Sequence, residues 1–208
     1  VPITLLELEE RHKYCIIEMG ANHQHEISLL CSIASPDISI ITNANNAHLG
    51  EFGSEENLVK AKGEILESLT KDGVALINIA SPHKETWHEM SGTQSLTFFG
   101  KGSGIYPSEI TESKSHINFN LNYSNASLNV NLSMIGLHQV DNVLAATACA
   151  IALGIEPDVI KKGLENTLPE KGRLELIELE NFKILDDSYN ANPESMKAAI
   201  DCIGNFSG

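Results

Sequence analysis

Residues 42–65 read TNANNAHLGEFGSEENLVKAKGEI, a loop that turns into a helix, and the rest of the chain is organised around this passage. The apolar run Ile38-Ser39-Ile40-Ile41 precedes it and predicts a strand. An Asn-rich turn carrying His48 follows, and Gly50 and Gly53 bend the chain. Ser54 is placed to cap a helix whose first turn holds Glu55 and Glu56, charges that the positive end of a helix dipole favours. Leu58, Ala61, Ile65, Leu66 and Leu69 recur at helical spacing as an apolar stripe. Lys62 falls on that stripe. An ammonium facing a core is costly unless it snorkels to water, is paired, or is chemically altered. Snorkelling is the ordinary outcome. The sharper alternative sets Lys62 at the border of an active site, with His48 and a carboxylate nearby. A lysine with a lowered pKa can also take up carbon dioxide and become a carbamate, an anionic metal ligand.

Upstream, residues 14–19 (Tyr-Cys-Ile-Ile-Glu-Met) form a continuous apolar run ending in Gly20, which predicts a buried parallel strand. Glu18 would lie at its C-terminal end, where open α/β sheets bind ligands. A helix cap or an ion-pair partner is an equally ordinary use of a carboxylate there. Residues 27–33 predict a helix stopped by Ser35-Pro36, and residues 38–42 the second strand, so Glu18 and His48 are expected on one rim of the sheet. The residues just after Val1 also have a strand-like pattern.

Downstream, Lys71-Asp72-Gly73 predicts a turn, residues 74–78 a strand, Pro82 the start of a helix to about Glu89, and residues 96–99 another strand. This alternation predicts an α/β fold with a mostly parallel sheet flanked by helices. After Gly100 the pattern changes. Alternating runs such as His116-Ile-Asn-Phe-Asn-Leu-Asn122 predict antiparallel hairpins with one wet face, a small β subregion over residues 103–134. Helices are expected at 138–153, closed by Gly154, and at 157–164. Strands are expected at 174–179 and 183–187, and a last helix begins at Asn192-Pro193.

The 208 residues carry a net charge of −14, with 42% hydrophobic and 20% charged residues, the balance of an ordinary globular protein. No basic stripe offsets that charge, which argues against nucleic acid as a partner but not against an anionic substrate. No apolar run is long enough to enter and span a membrane. Cys15, Cys31, Cys149 and Cys202 are widely spaced in apolar contexts and read as reduced core thiols of a cytoplasmic protein. The sequons at Asn122 and Asn125 are discounted because no signal peptide is evident. A start at Val1 and an end at Gly208, just past a helix-like segment, suggest a piece of something longer.

Four further residues are candidates. His138 and Asn142 are one helical turn apart and share a face, which would suit a planar heterocycle at a helix N-terminus or simple capping. Arg173, after Lys171-Gly172, could reach a phosphate from a loop, or merely be exposed. Asp187, in Asp186-Asp187-Ser188-Tyr189-Asn190-Ala191-Asn192, could accept hydrogen bonds from sugar hydroxyls, or serve turn chemistry.

Taken in order, Glu18-Met-Gly-Ala-Asn22, Ala47-His-Leu-Gly-Glu-Phe-Gly53, Lys60-Ala-Lys-Gly-Glu-Ile65, Gly136-Leu-His-Gln-Val-Asp-Asn142, Gly172-Arg173 and Asp186-Asp-Ser-Tyr-Asn-Ala-Asn-Pro193 resemble the Mur ligases. The likeness runs from about Pro2 to Met196, is weakest across the hairpins, and is closest to the branch that adds D-alanyl-D-alanine to UDP-N-acetylmuramoyl-tripeptide. It implies the family's central, P-loop NTPase-like domain in partial form, with 197–208 nearing the junction to a further domain. It implies a cytoplasmic, ATP- and Mg2+-dependent amide ligase of peptidoglycan synthesis, in which ATP phosphorylates a carboxylate and an amine attacks the acyl phosphate. By the same resemblance Glu18 and His48 match magnesium positions, and Lys62 matches a carbamylated lysine on the second ion. His138 and Asn142 match the adenine contact, Arg173 a phosphate contact and Asp187 a ribose contact. Oxygen ligands and offset phosphoryl charge are what magnesium chemistry asks for.

Two departures stand out. Gln139 follows the histidine where the family usually has Asn, which touches the fine geometry of the nucleotide contact. The G-x-x-G-K-[ST] phosphate loop is found nowhere in these residues; in the family it lies upstream. Without its backbone donors and lysine, nucleotide affinity should fall severely, and the chain alone is expected to have little ligase activity. Alternatives are a sister ligase, such as the diamino-acid-adding enzyme or folylpolyglutamate synthetase, and a non-catalytic module that binds nucleotide or a partner. A magnesium-dependent hydrolase lacks a separate nucleophile and base.

Overall fold

A computed structural model of the chain describes residues 1–44, 49–92 and 94–204, with Leu49 and Glu194 described by their backbone alone. The chain divides into two compact units, Val1–Phe98 and Phe99–Gly208.

The first unit runs α1 (Pro2–Leu6), α2 (Glu26–Ala34), β1 (Ile38–Ile41), α3 (Leu49–Phe52), α4 (Glu55–Glu67), β2 (Val74–Asn78), α5 (Lys84–Met90) and β3 (Ser95–Phe99). The strands form one sheet in the order β1-β2-β3, with β1 parallel to β2 from Ile38 opposite Val74 to Ile41 opposite Ile77. The predicted parallel sheet with flanking helices is therefore present. Ser54 caps α4 by accepting the N–H of Asn57 at 3.1 Å, as its position before two glutamates implies. Ile65, Leu66 and Leu69 of the stripe pack with Ile41, Val59, Ala75, Ile77 and Trp87, whereas Leu58 and Ala61 pack in a separate cluster with Phe52. Trp87 is fully buried, and its indole N–H donates to the carbonyl of Val59 at 3.0 Å, so the largest side chain of the core leaves no polar atom unpaired. Gly63 lets α5 approach α4: a Cβ there would run into the thioether of Met90 and lie 3.3 Å from Trp87 Cδ1.

Four local expectations are corrected. Residues 14–19 are irregular, not a strand, and Ile16 is 93% exposed. A strand needs a partner for its backbone N–H and C=O groups, and among the described residues β1 pairs only with β2. The residues after Val1 form the short helix α1, with Pro2 at its first position, and not a strand. Pro82 sits in the turn before α5, where Ser81 Oγ accepts the N–H of His83, and the helix begins two residues later. Cys15 is exposed and Cys149 half-buried, so only Cys31 and Cys202 are the buried free thiols expected.

The second unit holds the antiparallel sheet β4 (Ile105–Glu112), β5 (Ile117–Tyr123) and β6 (Ala126–Leu132), then α6 (His138–Ala152), α7 (Pro157–Glu165), the hairpin β7 (Glu175–Glu178) and β8 (Lys183–Asp186), and α8 (Pro193–Ile203). Ile117, Phe119, Leu121 and Tyr123 of β5 are buried while the asparagines between them face outward. Those amides hydrogen-bond across the strands, Asn118 and Asn129 donating to each other at 3.2 and 3.1 Å. Gly154 follows α6 with φ +69, the left-handed stop expected of it. Asn192 and Ser195 form a capping box at the start of α8, with Pro193 in the first turn. A small core of Ile135, Leu174 and Cys202, joined by Leu176, Leu185 and Ala199, holds α8 to the β7–β8 hairpin and to the turn entering α6.

Candidate nucleotide and metal site

In the first unit, Ala21 packs with Phe52, Leu58 and Ala61, which seats the segment after Glu18 against the first half of α4. Glu18 itself is exposed in that irregular segment. Lys62 is half-buried on α4, and burial pushes its pKa below that of an ordinary lysine. No ion-pair partner accompanies it among the described residues, so the ammonium gains nothing from the desolvation it suffers. This is the condition under which a lysine becomes a nucleophile toward carbon dioxide. His48 lies outside the described residues. Among the described residues no three His, Cys, Asp or Glu side chains gather as a metal site. The magnesium set that the resemblance implies would combine Glu18 with His48 and a carbamate on Lys62. In donor chemistry those groups suit a hard cation, since two of them are carboxylate-like oxygens.

Glu64, which the sequence reading passed over, is a buried carboxylate on α4 at 7% exposure. It accepts the N–H of His25 at 2.6 Å and of Ser28 at 3.0 Å, closing the N-terminus of α2. Its signal was an acidic residue three positions after Ala61, on the edge of the apolar stripe.

The second unit brings its four candidates into one neighbourhood. The turn Ile135-Gly136 leads into α6, and the N–H of Gly136 donates to Glu112 Oε1 at 2.9 Å. His138 folds back over Gly136, whose φ is +94; a Cβ there would come within 2.5 Å of the imidazole. Crowding by the surrounding protein lowers the pKa of His138, while the charges of Asp187, Asp141 and Glu112 pull it upward. Asn142, one turn on, donates from Nδ2 to Gln139 Oε1 at 3.0 Å. Gln139, noted in the sequence as a departure, thus holds the amide of Asn142. Asp187, at the end of β8, accepts the N–H of Leu174 at 3.2 Å through Oδ1. The guanidinium of Arg173 lies over the ring of Tyr189, 4.2 Å from its centroid, a contact that sequence reading did not foresee. An imidazole and an amide on the first turns of α6, and a carboxylate and a guanidinium on the loops beside the β7–β8 hairpin, are therefore carried around one helix start. The first two can meet a heterocycle edge, the carboxylate can accept from hydroxyls, and the guanidinium can donate to a phosphate.

The model of the Mur ligase middle domain matches residues 1–150. The chain belongs to the Mur ligase family. It is 39% identical over 207 residues to the UDP-N-acetylmuramoyl-tripeptide--D-alanyl-D-alanine ligase of Haemophilus influenzae, a match covering 99% of this chain and 45% of that protein. Among solved structures it resembles MurF from Acinetobacter baumannii, with a TM-score of 0.95 at 38% identity, over 98% of this chain and 45% of that one. It also resembles MurF ligase from Thermotoga maritima in complex with ADP, with a TM-score of 0.81 at 26% identity, over 92% of this chain and 44% of that one. This Mur ligase chain spans less than half the length of those relatives. Among its described residues no helix is long and apolar enough to cross a membrane.

Proposed function

We propose that this chain is the nucleotide- and metal-binding portion of an ATP-dependent amide ligase that joins D-alanyl-D-alanine to UDP-N-acetylmuramoyl-tripeptide in peptidoglycan precursor synthesis. The observation that carries the reading is the grouping of His138, Asn142, Arg173 and Asp187 around the start of α6, a set suited to base, phosphate and ribose of a nucleotide. The names of the relatives at this level of identity favour the D-alanyl-D-alanine branch over a sister ligase.

In this reading Asn142, steered by Gln139, and His138 recognise the adenine edge. Asp187 keeps one carboxylate oxygen on the Leu174 N–H and offers the other to the ribose hydroxyls. Arg173 donates to phosphate oxygens, where charge-assisted hydrogen bonds are strongest. Glu18, His48 and Lys62 as a carbamate would hold magnesium, which when bound would offset charge on the phosphoryl group being transferred. The ligase reaction passes the terminal phosphate of ATP to the tripeptide carboxylate, and the amine of D-alanyl-D-alanine then displaces phosphate to form the amide.

The test is calorimetric titration with a non-hydrolysable ATP analogue and excess magnesium, on this chain and on a version extended upstream. Binding in the extended protein that Asn142→Ala and Asp187→Ala weaken is the expected result. Binding insensitive to both substitutions would overturn the residue assignment. A purified extended enzyme that releases ADP with another amine, but not with D-alanyl-D-alanine, would overturn the substrate.

A further inference from the structure

Arg173 and Tyr189 stand on different loops, and the structure ties those loops together on either side of the pair. The N–H of Tyr189 donates to the carbonyl of Gly172 at 3.1 Å, and the N–H of Leu174 donates to Asp187 Oδ1 at 3.2 Å. The residues before and after Arg173 are each fixed to the 187–189 segment. Gly172 makes the approach feasible: its φ is +72, and a Cβ would lie 3.3 Å from Tyr189 N and 3.4 Å from Ser188 Oγ. Between these two ties the guanidinium is laid on the tyrosine ring at 4.2 Å. Arg173 has no carboxylate within ion-pair distance among the described residues, so the stack is what orients it. Stacking uses the face of a guanidinium and leaves its in-plane N–H donors for an anion.

We propose that Tyr189 is a positioning residue, whose ring holds the Arg173 guanidinium in the orientation that receives a nucleotide phosphate. The inference rests on the reading of Arg173 as a phosphate contact and adds to it the group that pre-organises that contact. An arginine held before binding loses less freedom on binding, so the ring acts through affinity. The requirement is for an aromatic face, not for the hydroxyl: Phe should serve and Leu should not.

The experiment is NMR of the protein extended upstream to include the phosphate loop, following the Arg173 side-chain Nε–H resonance, assigned with Arg173→Lys, in the free protein and during titration with magnesium ADP. Wild type and Tyr189→Phe should show a ring-current shift and restricted motion at Arg173 that Tyr189→Leu loses. The ADP-induced shift at Arg173 should need roughly twofold to fivefold more ADP in Tyr189→Leu, the scale of an exposed cation–π contact. Because Tyr189 is largely exposed, the variant should keep the wild-type amide spectrum elsewhere. An Arg173 resonance that answers ADP equally in wild type and Tyr189→Leu overturns the positioning role and leaves the phosphate reading standing. A wild-type Arg173 resonance that ignores ADP overturns both.

Discussion

Glu64, a carboxylate on α4, receives the backbone N–H of His25 at 2.6 Å and so closes the N-terminus of a helix to which it does not belong. The second oxygen takes the N–H of Ser28, and the side chain is buried. Two donors of α2 with no partner inside the helix are satisfied from a neighbouring element, which locks α2 onto α4. Glu64→Ala leaves both donors unpaired in a dry setting and should cost about 2–3 kcal/mol; Glu64→Gln keeps an acceptor and should cost about half of that. Urea unfolding of the three proteins measures this. Equal midpoints would mean that water replaces the carboxylate without loss.

His25 itself sits in the left-handed region, with φ 70, at the N-cap of α2. A side chain there crowds its own backbone, and glycine does not. The imidazole gives little in return: it is almost fully exposed to water, and its Nδ1 is 3.9 Å from Glu64 Oε1, too far for a hydrogen bond. His25→Gly should therefore raise stability by about 0.5–1 kcal/mol, the relief of strain exceeding the added freedom of the unfolded chain. A thermal midpoint below wild type would show that the imidazole has a contact of greater value.

Glu26 gives the same region a pH dependence. Its pKa is lowered by the N–H of Asn22, then by the side chain and N–H of His23. A carboxylate whose folded pKa is depressed contributes stability that is present above its unfolded value of 4.5 and is lost as pH falls through the folded value. Amide exchange at Asn22 and His23, corrected for intrinsic rates, should accelerate on acidification through that window, whereas Glu26→Gln should show weaker protection with little pH response. Exchange that stays flat in the wild type would contradict the account.

These features show where sequence reading succeeds and where it stops. The stripe on α4, the Ser54 cap, the alternation along β5 and the Asn192-Pro193 start of α8 are written in short-range spacing, so their elements were legible. Residues 14–19 carry the composition of a buried strand, yet pairing is a tertiary property, and no described strand accepts them. The site divides in the same way. Lys62 was visible because a charge interrupts an apolar period, and His138 with Asn142 because of their helical spacing. Glu64 and Tyr189 escaped because a glutamate among helical glutamates, or a tyrosine in a turn, has no local mark of the backbone it caps or the arginine it meets.

Lys62 is a place where function and stability should oppose each other. Burial lowers its pKa and no ion-pair partner among the described residues offsets the desolvation, so at neutral pH the charged form destabilises the fold. Lys62→Met keeps the aliphatic stem and removes the ammonium, and should stabilise the chain by about 1 kcal/mol. The same substitution should abolish the carbamate resonance expected in NMR after equilibration with isotope-labelled bicarbonate, and weaken magnesium-dependent nucleotide binding in the extended protein. A stabilised Lys62→Met variant with unaltered magnesium dependence would leave Lys62 an ordinary strained lysine.

Gly136 is a tight point of the second unit. Its φ of +94 is strained for any residue with a side chain, and a Cβ would lie 2.5 Å from His138 Cε1, 2.9 Å from Nδ1 and 3.2 Å from Cys202 Sγ. The imidazole must then swing away from the start of α6, while the thiol, fixed in the small core with Ile135 and Leu174, has little room to yield. Gly136→Ala should cost about 1–3 kcal/mol through backbone strain and overpacking. It should also move His138: once the ring leaves the crowding that lowers its pKa, its titration should shift upward toward that of an ordinary histidine. NMR titration of the imidazole reads that shift, and Cys202→Ala in the same background, by making space, should recover part of the stability without returning the ring. Wild-type His138 titration in Gly136→Ala would show that the glycine serves the turn alone and not the placement of the histidine.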